Sequence, residues 1–504
     1  MDMHSASNIT SRVYPNISDH HMVKYYASSI LVLVATTLLA IRVLTKPISN
    51  VPLVNPPNFF EVTATRRKLH ALTSARSLLS KAYEEFPNKC FRFMAEFAEV
   101  VVLPPEFAND IRNDERFDFT GFVRQLIPSQ IYGLDAFRGG SHTLKAVVQR
   151  DLTKSLSKDY QPALTEWHTL TTRDMVLHLV ARVSSRVFLG SELCRNEQWL
   201  RVTREYTVAS FSSAEQMRLW PAPLRRIASY FHPGCRHAAS LLKEARQCME
   251  PVLERRKRER ASGNYIPYND AIEWFEAAAA NGDEYDPVFA QLILSAAAIH
   301  TTTDLLCQVI GDLAQNPEFI EPLRQESIQS LSEGGWKKTT LYNMKLMDSC
   351  IKESQRMKPV SLLAMRRLVT EDVKLPDGTF IPKGSLSAVS SDRMWDATVY
   401  ENPNKWDGAR SFNKRKLEGQ ENAAQFVTTG PDHLAFGHGK HACPGRFFAA
   451  NEIKILLVHI LLKYDFKLHD RKPVTRRFGL TLGTDVSVKV DVRRRQEEID
   501  LDSF

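Results

Sequence analysis

One cysteine stands in a glycine-rich turn, Phe436-Gly-His-Gly-Lys-His-Ala-Cys-Pro-Gly-Arg-Phe-Phe-Ala449, directly before an apolar run of helical spacing. Glycines at 437, 439 and 445 let the backbone take left-handed turns and pass close to a flat partner. A cysteine at the mouth of a helix sits where the positive end of the helix dipole favours the thiolate, the form that binds metals. Two other readings of the turn stand beside that one: a buried free cysteine, and a metal site made by His438, His441 and Cys443. The second has no paired Cys-x-x-Cys elsewhere to complete a tetrahedral zinc site. Two further groups of residues could act with the turn. Ala297-Ala-Ile-His-Thr-Thr302 places hydroxyls and an imidazole inside a long apolar run. Glu353-Ser-Gln-Arg356 places opposite charges three apart, on one face of a helix.

The elements that must position these residues follow from the surrounding sequence. Asp286-Pro287 reads as an N-cap with proline at the first helical position, and Asn316-Pro317 stops the apolar run that follows. Gln291, His300, Asp304 and Gln308 in its interior make a buried core helix a better reading than a membrane span. Lys358-Pro359 ends the helix that carries Glu353. Leu179–Gly190 is amphipathic and ends in glycine, a helix with its C-cap. Strand-like runs are short: Val100–Leu103, Val373–Leu375 with Thr379–Ile381, and Val486–Val492. The expected fold is mainly α with small β-sheets.

Ahead of this body, Tyr25–Ile41 runs without a charge between Lys24 and Arg42. At about 1.5 Å per residue it spans roughly 26 Å, close to the hydrocarbon thickness of the endoplasmic reticulum. It reads as a single transmembrane anchor. The implied division is a lumenal tail over 1–24, the anchor over 25–44, a Pro-rich linker over 45–57 and the main domain over 58–504. The tail carries two glycosylation sequons, at Asn8 and Asn16. The formal charge of +8 is spread along 504 residues, and its densest cluster, Glu254–Arg260, reads as a solvated helix face and not a nucleic-acid surface. Seven scattered cysteines imply reduced thiols on the cytosolic side, not a disulfide framework.

Phe436-x-x-Gly439-x-x-x-Cys443-x-Gly445 resembles the haem-binding loop of the cytochrome P450 family. The resemblance implies haem b as cofactor, with the Cys443 thiolate as the axial iron ligand, and the family's fold with one N-terminal transmembrane helix. Residues 297–302 resemble the family's oxygen-activation motif. Thr301 matches its threonine, but Ala298 replaces a glycine and His300 stands where Asp or Glu is usual. His300, or Asp304 one turn on, is expected to stand in for that acid. The competing reading of these threonines is hydroxyls bonded back to carbonyls one turn earlier. Glu353 and Arg356 resemble the Glu-x-x-Arg pair. Trp406-Asp-Gly-Ala-Arg410 resembles the segment whose arginine completes that network, with Ser411 at a position commonly aromatic. By position His441 and Arg367 match residues that bind the haem propionates. The family's Trp-x-x-x-Arg is absent, with Thr143–Arg150 roughly in its place. Ala297, Leu362, Leu363, Leu480, Thr481 and Leu482 are the expected substrate-lining positions.

The resemblance is strongest to fungal enzymes of the ent-kaurene-oxidase-like group, which includes indole-diterpene and other terpenoid-tailoring oxidases. It implies a microsomal monooxygenase in the endoplasmic reticulum membrane, its catalytic domain cytosolic. NADPH–cytochrome P450 reductase would be its partner and a bulky lipophilic molecule its substrate. An isomerase or peroxygenase that needs no reductase stays open, as does a haem sensor or carrier without catalysis.

Overall fold

The Asp286-Pro287 signal is realised as read. The Asp286 carboxylate accepts the backbone N–H groups of Val288 and Phe289, at 2.9 and 3.0 Å, and a 29-residue helix runs from Pro287 to Gln315. In this computed structural model the described residues are 49–58, 61, 63–128, 130–138, 147–148, 166–220, 222–263, 265–279 and 285–503. Positions 24, 26–30, 32–33 and 36 are also described, as helix. The sequons at Asn8 and Asn16, and the rest of the tail, anchor and linker, lie outside them.

Five helices hold the site, and they are labelled in chain order: α1 (Thr172–Leu193), α2 (Glu197–Met217), α3 (Pro287–Gln315), α4 (Lys345–Met357) and α5 (Arg446–Lys463). The long helix α3 runs through the middle, against α1, α2, α4 and α5. It is the one described helix long and apolar enough to cross a membrane. Its flanks are instead shut into two core clusters, with Ile299, Leu306 and Ile310 in one and Val288, Leu292 and Leu294 in the other. It is a core helix, as its interior polar residues required.

Sheets are small. The largest takes its strands in the order β1-β2-β5-β4-β3, with β1 Phe91–Met94, β2 Glu99–Leu103, β3 Phe117–Asp118, β4 Leu363–Val369 and β5 Leu386–Ser390. Only β2 and β5 pair in parallel, with Val100 opposite Leu386. Val373–Lys374 pairs with Phe380–Ile381 as the sequence suggested. The C-terminal strand starts later than read, at Lys489, because Asp485 holds the preceding turn by accepting from the N–H and hydroxyl of Ser487.

Gly190 does leave the helical conformation, at φ 76°, but α1 resumes beyond it to Leu193. A Cβ there would sit 2.7 Å from the Asp270 carboxylate. That carboxylate forms a doubly bonded ion pair with Arg256, at 2.6 and 2.9 Å, both side chains 1% exposed. The basic cluster is therefore not only a solvated face. Arg256 is buried, and Arg255 and Arg260 are paired to Glu192, Glu273 and Glu276.

Candidate functional site

The cysteine turn is closed by its own backbone, since the Cys443 N–H donates to the Phe436 carbonyl at 2.8 Å. Phe436 packs at 5.1 Å on Phe426 of the core. Gly437 and Gly439 take left-handed conformations, φ 67° and 78°. Gly439 also lies against Arg112, whose backbone oxygen would be 2.5 Å from any added Cβ, so no larger residue fits. Gly445 caps α5. Arg446 locks the turn, donating to the carbonyls of Cys443 at 2.8 Å and Val427 at 3.1 Å. His438 is held by Asn109, Arg112 and Thr429, so it does not join Cys443 in a metal site.

Burial pushes the Cys443 thiol up, while the backbone N–H groups of Gly445 and Arg446 and the Arg446 charge pull the other way. Those donors at the mouth of α5 favour the thiolate. Cys307 has no such donors, and burial drives it up to about 12. Cys443 is thus the cysteine whose surroundings suit a metal-bound sulfur.

Phe119 brings the two expected carboxylate binders together. The His441 ring lies 5.8 Å from it, and the Arg367 guanidinium stands 5.5 Å over it. Arg367 is 2% exposed and donates one N–H to the Arg366 carbonyl at 2.8 Å, yet its Nε and Nη2 have no partner among the described residues. Burial depresses its pKa to about 10. A guanidinium in that state calls for an anion, because an unpaired buried charge costs several kcal/mol, on the order of 3–5. The residues present fit haem: a sulfur at a helix mouth for the iron, and a cation with two spare N–H groups for a carboxylate.

On α3, Ala297 and Thr301 are exposed, four apart and on one face, while Ile299, Thr302 and Thr303 are buried. The Thr301 hydroxyl does bond back, to the Ala297 carbonyl at 2.7 Å, as the competing reading had it. The two expected stand-ins for the missing acid do not join it. His300 Nε2 is 3.2 Å from the Arg204 carbonyl on α2, and burial depresses its pKa. Asp304 is ion-paired to Lys358 and accepts from Thr484 through both its N–H and its hydroxyl, at 2.8 and 2.9 Å. It ties α3 to the residue after α4 and to the C-terminal segment.

Glu353 is 2% exposed and holds Arg356 through two bonds of 2.9 Å. It also accepts from Arg410 at 3.1 Å and from the Asp407 N–H at 3.2 Å. Arg356 reaches the carbonyls of Met394 and Pro403, and Arg410 those of Glu401 and Lys405. Ser411, where an aromatic was expected, is buried beside this network. The sequence reading missed Tyr400, whose ring lies 4.9 Å from the Arg356 guanidinium, and Phe119; neither sits in a motif.

Of the expected lining residues, Ala297 and Thr481 are exposed. Leu362, Leu363, Leu480 and Leu482 are not open to a pocket but buried in one cluster, because 360–362 and 480–482 bond to each other through Leu362 N to Leu480 O and Leu482 N to Val360 O, both 2.9 Å. Val360, in the same pairing, is 46% exposed. Within Thr143–Arg150 only Val147 and Val148 are described. Both are buried, and Val148 would touch a Cβ at Gly445 at 3.7 Å.

Glu353→Ala or Arg356→Ala leaves a buried partner uncompensated, at about 3–5 kcal/mol. Either is expected to lower the haem content of purified protein, read from the carbon monoxide difference spectrum. Asp304→Ala strands Lys358, 2% exposed, and is expected to lower the melting temperature without changing peroxide release per NADPH consumed.

The family description "Cytochrome P450" matches residues 134–486 of the chain. A cytochrome P450 monooxygenase, hepE, of Aspergillus oryzae is 46% identical over 498 residues, covering 93% of this chain and 91% of that protein. The cytochrome P450 monooxygenase TRI1 of Fusarium sporotrichioides is 39% identical over 476 residues, 90% of this chain and 88% of that protein. Among solved structures, retinoic acid bound cyanobacterial CYP120A1 superposes with a TM-score of 0.61 at 18% identity, over 89% of this chain and 100% of that one, which shows the fold. The chain belongs to the cytochrome P450 family, oxygen-incorporating oxidoreductases with haem iron as cofactor.

Proposed function

We propose that this chain inserts one oxygen atom from O₂ into a bulky lipophilic substrate of terpenoid or indole-diterpene type. Its electrons would come from NADPH through NADPH–cytochrome P450 reductase. The balance is substrate C–H, O₂, NADPH and a proton giving C–OH, water and NADP⁺. The observation that carries the reading is the open face of α3, where a residue with little bulk, Ala297, lies beside a hydroxyl, Thr301, on a helix whose other residues, the last apart, are buried or half-buried.

Haem, bound through Cys443, supplies the reductive activation of O₂, helped by the electron density of the thiolate. The chain does the rest. Arg367 and His441 hold the carboxylates of the group, and the Glu353 network keeps the cysteine turn in place. Ala297 leaves room for substrate. Thr301 holds a proton on its hydroxyl oxygen and at rest donates it to the Ala297 carbonyl, from which it can swing to a reacting oxygen.

Membrane attachment fits two sets of exposed apolar side chains. Tyr26, Ile30, Val32 and Leu33 are 58–65% exposed at helical positions in the expected anchor. Leu219, Trp220, Leu224, Ile227, Tyr230 and Phe231 form the second set, 47–77% exposed. The reading is a cytosolic domain on the endoplasmic reticulum with a lumenal tail glycosylated at Asn8 and Asn16. Endoglycosidase treatment is expected to raise the gel mobility of the microsomal protein, and unchanged mobility overturns the glycosylation.

A peroxide-using enzyme is the second reading, favoured by the engagement of both His300 and Asp304 away from Thr301. Expression in microsomes with reductase, with diterpenoids screened by mass, separates the two. Product formation is expected to need NADPH and reductase; product formed with hydrogen peroxide alone favours the second reading. Cys443→Ser is expected to abolish the red-shifted carbon monoxide band in folded protein, and a retained band overturns thiolate ligation.

A further inference from the structure

At the far end of the C-terminal hairpin, buried charges meet without pairing. The hairpin joins Arg476–Phe478 to Thr481–Gly483. Its base is held to α3 by the bond from the Thr484 N–H to Asp304, one turn beyond Thr301. Its tip, Gly479-Leu480, lies on the turn between β1 and β2. The Glu96 carboxyl of that turn takes the space a Cβ at Gly479 would need, its atoms 2.6–3.0 Å from that position. From β4, Arg366 donates to the Ser361 hydroxyl, which donates to the Leu480 carbonyl at 3.1 Å. The Arg366 guanidinium stands 5.7 Å over the ring of Phe97, beside Glu96. Arg218, the residue after α2, completes the corner. Burial raises the pKa of Glu96 and lowers those of Arg218 and Arg366, and their charges act on one another.

Yet no ion pair joins Glu96 to either arginine. Glu96 Oε2 and Arg218 Nη1 are shut off from solvent and have no partner among the described residues. Arg218 reaches Glu215 with its other nitrogen, at 3.8 Å, and that carboxylate is 45% exposed. If the task of these charges were only to hold the end of α2 on the β1–β2 turn, the two orphaned atoms would close on each other, because unpaired buried charge is costly. What satisfies both is a group that accepts one hydrogen bond and donates another. A hydroxyl does so. A ketone or an ether leaves Glu96 unmet, and a carboxylate is repelled by it.

We propose that Glu96 and Arg218 grip a hydroxyl already present on the substrate, so that this enzyme acts on an alcohol. The O–H donates to Glu96 Oε2, and its oxygen accepts from Arg218 Nη1. Five residues separate Gly479 from Thr484, at most about 18 Å of chain. One multi-ring molecule can therefore reach from this corner to the Thr301 face, along the exposed Val360 and Thr481. The reaction that supplies the substrate is one that puts a hydroxyl on a hydrocarbon skeleton, by oxygenation or by addition of water.

The inference rests on the terpenoid reading of the substrate, and its test needs no turnover. Full-length holoenzyme in microsomes is titrated with diterpene hydrocarbons, the alcohols of the same skeletons and the methyl ethers of those alcohols. The shift of the haem absorption band gives a Kd for each. An alcohol is expected to bind about tenfold tighter than its hydrocarbon and its ether. Glu96→Met and Arg218→Met, with normal carbon monoxide bands, are expected to raise the Kd of the alcohol to that of the hydrocarbon and to leave the hydrocarbon unchanged. Glu96→Gln, whose amide still accepts and donates, is expected to restore part of the difference. Alcohols that bind no tighter than hydrocarbons in the unaltered enzyme overturn the inference and leave the corner to a bridging water. So does a preference that survives both substitutions, or a loss that falls on hydrocarbon and alcohol alike. A holoenzyme whose band moves with no member of the series fails the terpenoid reading instead.

Discussion

A carboxylate taken out of water keeps its charge only if cations and N–H groups surround it, and Glu353 is such a carboxylate. Two guanidinium groups and a backbone N–H converge on it, and the spare donors of those guanidiniums reach four carbonyls between 394 and 405. The segment is thereby fixed beneath α4. From there the constraint passes to the cysteine turn along identifiable bonds. The Tyr400 hydroxyl donates to the Asp432 carbonyl at 2.9 Å, Arg393 pairs with the Asp432 carboxylate at 3.0 Å, and the next residue, His433, lies 2.9 Å from Gln355 of α4. Three residues later comes Phe436, whose carbonyl accepts from the Cys443 N–H. A sulfur that must meet a metal at one point in space is thus positioned by a buried charge network, because ion pairs in low dielectric tolerate little displacement.

The same logic explains why the site was partly legible in the sequence. Residues whose chemistry depends on chain neighbours were readable: the glycines that turn the backbone at 437 and 439, the Asp286-Pro287 cap, and the Glu353–Arg356 pair at helical spacing. Arg410 was readable only through the family pattern, since fifty-odd residues separate it from the carboxylate it serves. Phe119 and Tyr400 were not readable, because an aromatic that supports a guanidinium looks in sequence like any core residue. The leucines at 480 and 482 misled for a related reason. Their place near the C-terminus was read as substrate-facing, but pairing with 360–362 turned both into the core.

The groove of α3 shows where local reading fails. His300 and Asp304 flank Thr301 in sequence, yet helical geometry turns His300 towards α2, and a buried lysine claims Asp304. Proximity along a helix does not bring both side chains to Thr301, because each residue advances about 100° around the axis. Glu452, on α5, is instead bonded to Ser184 of α1.

That arrangement has a physical reason. An acid exposed beside a hydroxyl on the open face would ionise near its ordinary value and add a fixed negative charge where a lipophilic substrate must lie. Glu452, buried behind the helix, is pushed up towards the neutral acid because burial outweighs the hydrogen bonding that favours its charge. It leaves the open face to Ala297 and a hydroxyl already bonded to the backbone. The groove stays apolar enough for a lipophilic molecule.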